Sequence, residues 1–481
     1  MAYRDLRDFL AVSEQRGLVR RITKSIDHTW EPACYAKWMY QAMPDEDRFG
    51  LYFENVEGTD FSVATALLGA STETYALALG VEPEEINETW MNAIISPIPT
   101  RVVDSASCQE VVWTGDEARL NRLPVPVWTP GKDAAPYFTV PVLTQNANTG
   151  AQNMGFYRTM IREDGSVVIN LSPGRQGTID CETWLSQGKP APLAWIIGSE
   201  PVVQLASTLN LPKGQEELAV AGAVKGEAIE LVKARMSDLL IPANTEVVVE
   251  GEVVPDESAL EGPFGEFAGF MGPIMPKPVG RITAITTREN PIYYGVTSQM
   301  PPSESTVIQS LTNGGVILKT LRHDLGEQTV SDAFIDLTFG GLLAHAVIAM
   351  EPRYTGHAKK VGRMVADFAP VKRVTVVDSD IDIRDSSHIE WAMNARYNPA
   401  RDTVIIDDIF APMGMDPAVR VADGTTDQSS KVVIDATATI DSGDFSLPGQ
   451  EVMARALESW REAGLPEFDI PKRAKLRLDK S

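Results

Sequence analysis

The run Thr245-Glu246-Val247-Val248-Val249-Glu250-Gly251-Glu252-Val253-Val254, followed by Leu260-Glu261-Gly262-Pro263-Phe264-Gly265-Glu266-Phe267-Ala268-Gly269-Phe270, decides the fold. Its first half is a β-favouring valine run and its second a glycine- and proline-punctuated turn. Further short β-favouring runs lie on either side, at 137–143, 154–161, 166–171, 194–198, 280–287 and 292–296, divided by Gly, Pro, Asn and Asp. Few helices interrupt them, chiefly 216–224. Strands at this spacing predict a central β-barrel or sandwich.

Outward from this centre the pattern changes. Leu6, Phe9 and Leu10 share a face within 3–15, and Gly17 stands where a helix-ending glycine belongs. A strand at 18–22 and helices at 73–79 and 83–93 make the N-terminal segment α/β. Pro97, Pro99, Pro124, Pro126, Pro130 and Pro136 remove backbone donors between 96 and 136, so that stretch reads as a domain junction. From 303 onward helices at 304–321, 357–368 and 387–396 alternate with strands at 329–337, 343–350, 373–377 and 403–409, predicting a second α/β domain. A terminal helix at 450–463 precedes a loose Lys/Arg-containing tail after Pro471.

The 481 residues suffice for about three domains, and 43% apolar content gives each a core. With 43 basic and 66 acidic side chains the net charge is −23, which excludes nucleic acid and anionic membrane as partners. The first seven residues carry arginines without an apolar run behind them, so a cytoplasmic location is expected. Cys34, Cys108 and Cys181 form neither a disulfide framework nor a CxxC motif and read as buried, reduced thiols. His28, His323, His345, His357 and His388 make no metal-binding pair and read as structural.

Three stretches carry the chemistry. Glu261 and Glu266 flank a Gly-Pro-Phe-Gly turn that can aim both carboxylates into one cavity, where nearby aromatics would dehydrate them as a proton donor requires. A surface loop with two solvated glutamates stays open on this pattern alone. Asn153 and Arg158 lie on a strand at an odd spacing, which puts them on opposite faces unless a bulge intervenes, and Gly155 offers one. Glu216 and Glu217 begin a helix, where the dipole alone would favour acidic residues.

In this order and spacing, Asn153-x-x-x-x-Arg158, Glu217-x-Ala219-x-Ala221-Gly222 and Glu261-Gly262-Pro263-Phe264-Gly265-Glu266 resemble the UbiD-type decarboxylases that use prenylated flavin mononucleotide (prFMN). Ile241-Pro242-Ala243 and Lys431-Val432-Val433-Ile434-Asp435 extend the resemblance over about residues 110–440. It implies a multidomain α+β and α/β fold: an N-terminal α/β domain (1–110), a central split β-barrel of flavin-reductase-like form that holds prFMN (111–310), and a C-terminal α/β dimerisation domain with a terminal helix (311–481). The implied activity is reversible, non-oxidative decarboxylation of an aromatic, heteroaromatic or polycyclic acid of aryl, phenazine, indole or pyrrole type, through a covalent adduct with the cofactor. A cinnamate-like α,β-unsaturated acid, and a non-catalytic flavin-binding or assembly role, are the alternatives.

The resemblance also assigns residues. Arg158, Glu261 and Glu266 form the catalytic set, with Arg158 holding Glu261 ionised and Glu266, beside Phe267 and Phe270, donating the proton. Asn153 and Glu217 match ligands of Mn²⁺ or Mg²⁺. Gln176 stands where many relatives have a histidine and would bind metal more weakly. Backbone at Ala206, Ser207 and Leu209 matches a K⁺ or Na⁺ site. Phe156, Tyr157, Arg158, Leu171, Ser172, Arg175 and Lys431, with Asn153, Gln176 and Glu217, match the cofactor-binding set. Phe267, Met300 and Leu465 match substrate-pocket positions, with ordinary core packing equally open for the last two. The implied partners are the acid and CO₂, a flavin prenyltransferase that supplies the cofactor, and further copies of the chain as a dimer or hexamer.

Overall fold

Val247, Val248 and Val249 are completely buried, each contributing roughly 1.5–3 kcal/mol. Burial on both faces explains why this stretch is an unbroken apolar run instead of an alternating one. It opens the strand Val247–Glu261, which pairs antiparallel with Met275–Thr287. The computed structural model describes residues 3–211, 214–338, 345–410, 428–438 and 445–478. The chain divides into a first unit, Met1–Val316 with Leu337–Gly341, and a second, Ile317–Asp336 with Leu342–Ser481.

The first unit is built on a nine-stranded sheet: β1 (Val111–Thr114), β2 (Tyr137–Phe138), β3 (Pro141–Gln145), β4 (Gln152–Phe156), β5 (Thr159–Ile161), β6 (Val167–Ile169), β7 (Ala191–Ile197), β8 (Val247–Glu261) and β9 (Met275–Thr287). Their order is β2-β5-β6-β9-β8-β7-β3-β4, with β1 also on β9, and every pairing is antiparallel. Register shifts at Glu250/Gly251 and between Val253 and Ser258 bend the long hairpin and help curl the sheet into a half-barrel.

A smaller sheet holds Val19–Ile22, Gly50–Phe53, Ser62–Thr65 and Ile292–Tyr294. The last of these, expected with the central strands, instead pairs parallel with Ser62–Thr65, and both sheets share one apolar core. Helix Leu6–Gln15 is capped by Asp5, and Gly17 follows it at φ +76°. Helix Glu31–Ala42 was not anticipated, because its apolar positions show no clean helical stripe.

The second unit is an α/β layer of five strands in the order Val330–Ile335, His345–Met350, Arg373–Asp378, Gln428–Asp435, Thr403–Phe410. Residues 343 and 344 of the expected strand lie outside the described residues. The expected loose tail is instead helical over Lys472–Leu478: Arg473 pairs with Asp385, and the Arg477 guanidinium lies 4.3 Å from the Trp391 ring centre. Among the described residues no helix is long and apolar enough to cross a membrane.

Candidate active site

Asn153 and Arg158 do not share one strand. The chain leaves β4 after Phe156 and enters β5 at Thr159, so Arg158 sits in the break, and Gly155, expected to bulge, pairs regularly with Val142. The break frees Arg158 from strand alternation and lets it reach the far end of β8. There Arg158 Nε and Nη2 donate to the two oxygens of Glu261, both at 2.9 Å. Its remaining nitrogen, Nη1, pairs with Glu266 Oε1. Glu261 is 0% and Glu266 5% exposed, while the Arg158 side chain keeps 13% of its surface open.

The turn after β8 is what brings Glu266 back. Glu266 N donates to Phe270 O (2.9 Å) and Gly272 N to Phe264 O (2.7 Å). A Cβ on Gly272 would stand 2.9 Å from Glu266 Oε1, so a side chain there would push the carboxylate from its place. Phe264, 2% exposed, lies under the Arg158 guanidinium at 5.3 Å and against the Tyr137 ring at 4.5 Å. The aromatics that dry the trio are therefore Phe264 and Tyr137. Phe270 is 51% exposed because it sits at the turn's outer edge.

Three further residues at the trio were invisible to local sequence patterns. Asp133 accepts from Thr129 N (2.6 Å) and Gly265 N (2.8 Å), fastening the turn, and burial pushes its carboxyl up to about 6. Tyr137 is completely buried. Lys277 lies opposite Ala259 in the β8–β9 hairpin, on the same face as Glu261, and Nζ reaches Leu171 O at 3.5 Å. Burial and then the Arg158 charge lower its ammonium. One guanidinium stands between two buried carboxylates and can balance the charge of only one of them.

A second, partly buried cluster gathers the expected metal ligands. Asn153 Nδ2 donates to Thr144 Oγ1 and Tyr157 OH, both at 3.3 Å, and Gln176 Nε2 to Asp180 Oδ1 at 2.8 Å. Both amides thus engage through nitrogen and leave their oxygens for a cation. Glu217 accepts from Met154 N at 3.1 Å, beside Asn153. Burial pushes its carboxyl up to about 7, with Glu216 and Asp180 adding to the effect, and no cationic side chain pairs with it among the described residues. Among those residues no group of three or more His, Cys, Asp or Glu is placed to hold a metal. Asp180, 1% exposed, was missed.

Tyr157 packs against the bare backbone of Gly177, where a Cβ would come within 2.6 Å of the ring, and accepts from Gly177 N at 2.9 Å. Arg175 lies over the same ring at 5.7 Å with no ion-pair partner among the described residues. Phe156 and Ser172 are half-buried and Leu171 is buried along the same stretch. Ala206, Ser207 and Leu209 follow or end the helix Pro201–Ala206, with Leu209 N already donating to Ala206 O. Phe267 is half-buried and Met300 56% exposed, its sulfur lying over Gly269.

Lys431 and Leu465 belong to the second unit. Lys431 Nζ donates to Ala366 O and Ala369 O there, and Leu465 N to Trp460 O. Cys108 and Cys181 are buried thiols pushed up to about 12 by burial, while Cys34 is only half-buried. His357 pairs with Glu327 and His345 with Thr375, each within the second unit.

Family models of 3-octaprenyl-4-hydroxybenzoate carboxy-lyase match the chain in all three parts: the N-terminal domain at 10–94, the Rift-related domain at 100–301 and the C-terminal domain at 308–436. An evolved dimeric form of the UbiD-class enzyme HmfF from Pelotomaculum thermopropionicum, solved with prFMN, is 30% identical with a TM-score of 0.81, over 94% of this chain and 98% of that one. Vanillic acid decarboxylase from Sedimentibacter hydroxybenzoicus, in closed form, is 26% identical with a TM-score of 0.83, over 96% and 100%. The 3,4-dihydroxybenzoic acid decarboxylase of Enterobacter cloacae shares the fold at 23% identity, with a TM-score of 0.83 over 95% and 100%.

Proposed function

The chain belongs to the UbiD family of carboxy-lyases, and from that premise we propose that it removes CO₂, reversibly and without oxidation, from an aromatic, heteroaromatic or polycyclic carboxylic acid. The observation that carries this reading is the buried Glu261–Arg158–Glu266 set. Arg158 fixes Glu261 and is positioned to orient an incoming carboxylate. Glu266 delivers a proton to the carbon that CO₂ leaves. Phe264 and Tyr137 keep water out, so that proton has no competing acceptor.

Prenylated FMN is the cofactor we assign, and when bound it supplies the electron sink that carboxylate departure requires. The side chains fit such a group. Arg175 and Lys277 are cations without an ion-pair partner among the described residues, suited to a phosphate and to the substrate carboxylate in a chain of net charge −23. Glu217 with the Asn153 and Gln176 oxygens suits Mn²⁺ or Mg²⁺, and the helix end at Ala206, Ser207 and Leu209 suits K⁺ or Na⁺. The central sheet is the split-barrel cradle for the flavin, residues 1–110, 111–310 and 311–481 are the working domains, and Phe267 and Met300 contact substrate. Homo-oligomerisation and supply of the cofactor by a prenyltransferase complete the proposal.

Similarity to the vanillic acid enzyme supports an aryl acid first. CO₂ release by the cofactor-loaded protein should be measured across aryl, indole, pyrrole, furan, phenazine and cinnamic acids. Release from at least one planar aromatic acid is expected. No release from any, with prFMN verified by absorbance and mass, would defeat the proposal.

A further inference from the structure

Tyr137 is 0% exposed, and its hydroxyl has no hydrogen-bond partner. An apolar cluster of Trp128, Met160, Val168 and Phe264 surrounds its ring, and a phenylalanine would satisfy that packing without stranding a polar atom. Its place is set by the sheet. Tyr137 pairs with Met160 across β2 and β5, which sets it beside the strand that begins just after Arg158. Its ring rests on Phe264, the same ring that underlies the Arg158 guanidinium. Burial raises the phenol strongly, and the Glu261 carboxylate is the next cause, so the hydroxyl lies within Glu261's field.

Both Glu261 oxygens accept from Arg158 in this structure, and the Tyr137 hydroxyl stands beside that carboxylate without completing a hydrogen bond of its own. The same arrangement creates a difficulty for turnover. If Arg158 turns toward a substrate carboxylate, Glu261, completely buried, is left as an uncompensated anion, a costly state inside a protein. We propose that Tyr137 is a positioning residue that donates its hydroxyl hydrogen bond to Glu261 when Arg158 is drawn away, so that the guanidinium is released to the substrate without stranding the carboxylate. This rests on the decarboxylase reading for its purpose, but its physical content does not.

A stability cycle tests it without turnover. Y137F should leave Tm within a degree or two of wild type, because the hydroxyl lost has no partner in the resting state. Added to R158M, in which Tyr137 would be the remaining donor to Glu261, Y137F should lower Tm by about 4 °C more. Equal effects in both backgrounds overturn the inference. Should R158M fail to fold, the cofactor-loaded Y137F protein decides: kcat about tenfold lower at unchanged KM and Tm is expected, whereas unchanged kcat overturns it. Absence of CO₂ release by wild type would defeat the decarboxylase reading and leave the stability cycle to judge Tyr137.

Discussion

Two clusters in the first unit handle charge in opposite ways. Around Glu261 the chain supplies its own counter-ion: Arg158 lies in a strand break, bonds both oxygens of one carboxylate and meets the second. Around Glu217 it supplies amides and a further carboxylate, and burial leaves the charge unpaid, with the acid pushed up to about 7. The first cluster is organised before anything binds, as a site that must hold a proton in place requires. The second has no cationic side chain on its carboxylate among the described residues, and its oxygen donors are of the kind a hard cation would accept.

The contrast breaks most severely at Arg158. R158M should abolish turnover and cost about 3–5 kcal/mol, because buried Glu261 loses its counter-ion and keeps only the neutral Tyr137 hydroxyl as a donor. Chemical denaturation of the cofactor-free protein measures this, and a loss below about 1 kcal/mol would mean that Glu261 is already compensated.

At Glu217 the sign reverses. Its carboxyl stands near 7 against an ordinary 4.5, so the folded state holds the proton more tightly than the unfolded one. The penalty is absent below about 4.5 and complete above about 7. E217Q should therefore stabilise the metal-free protein at pH 8 by about 3 kcal/mol and leave it little changed at pH 4.5. Added Mn²⁺ should raise Tm of wild type and not of E217Q. Destabilisation at pH 8 by the substitution would contradict the comparison.

The smallest effect is expected at Lys277. Losing one charge-assisted contact to a substrate anion is worth about 1.4 kcal/mol, so K277M should raise KM for the acid about tenfold with kcat little changed. A steady-state comparison with K277R, which should restore KM, checks this.

The trio was legible because Glu261 and Glu266 are near neighbours in a distinctive turn, and the metal-ligand candidates because each lies in a recognisable stretch. The supports of the trio were not. Asp133 reaches Gly265 across 132 positions and Lys277 reaches Leu171 across 106, side-chain contacts to distant backbone that no local pattern encodes. The break at Tyr157–Arg158 was hidden inside an apolar run that reads as one strand, and Gly155 drew the bulge two residues too early. The N-terminal sheet took Ile292–Tyr294 because a parallel partner, Ser62–Thr65, lay far away in sequence. The C-terminal helix Lys472–Leu478 owes its order to Trp391 and Asp385, not to its own basic composition.

The central claim, that Glu266 carries the proton replacing CO₂, is tested most directly by E266Q loaded with prFMN and given an acid that wild type decarboxylates. CO₂ release should fall at least a thousandfold, since an amide cannot deliver the proton, while cofactor absorbance and mass stay as in wild type. Turnover of E266Q within a few fold of wild type would contradict the account.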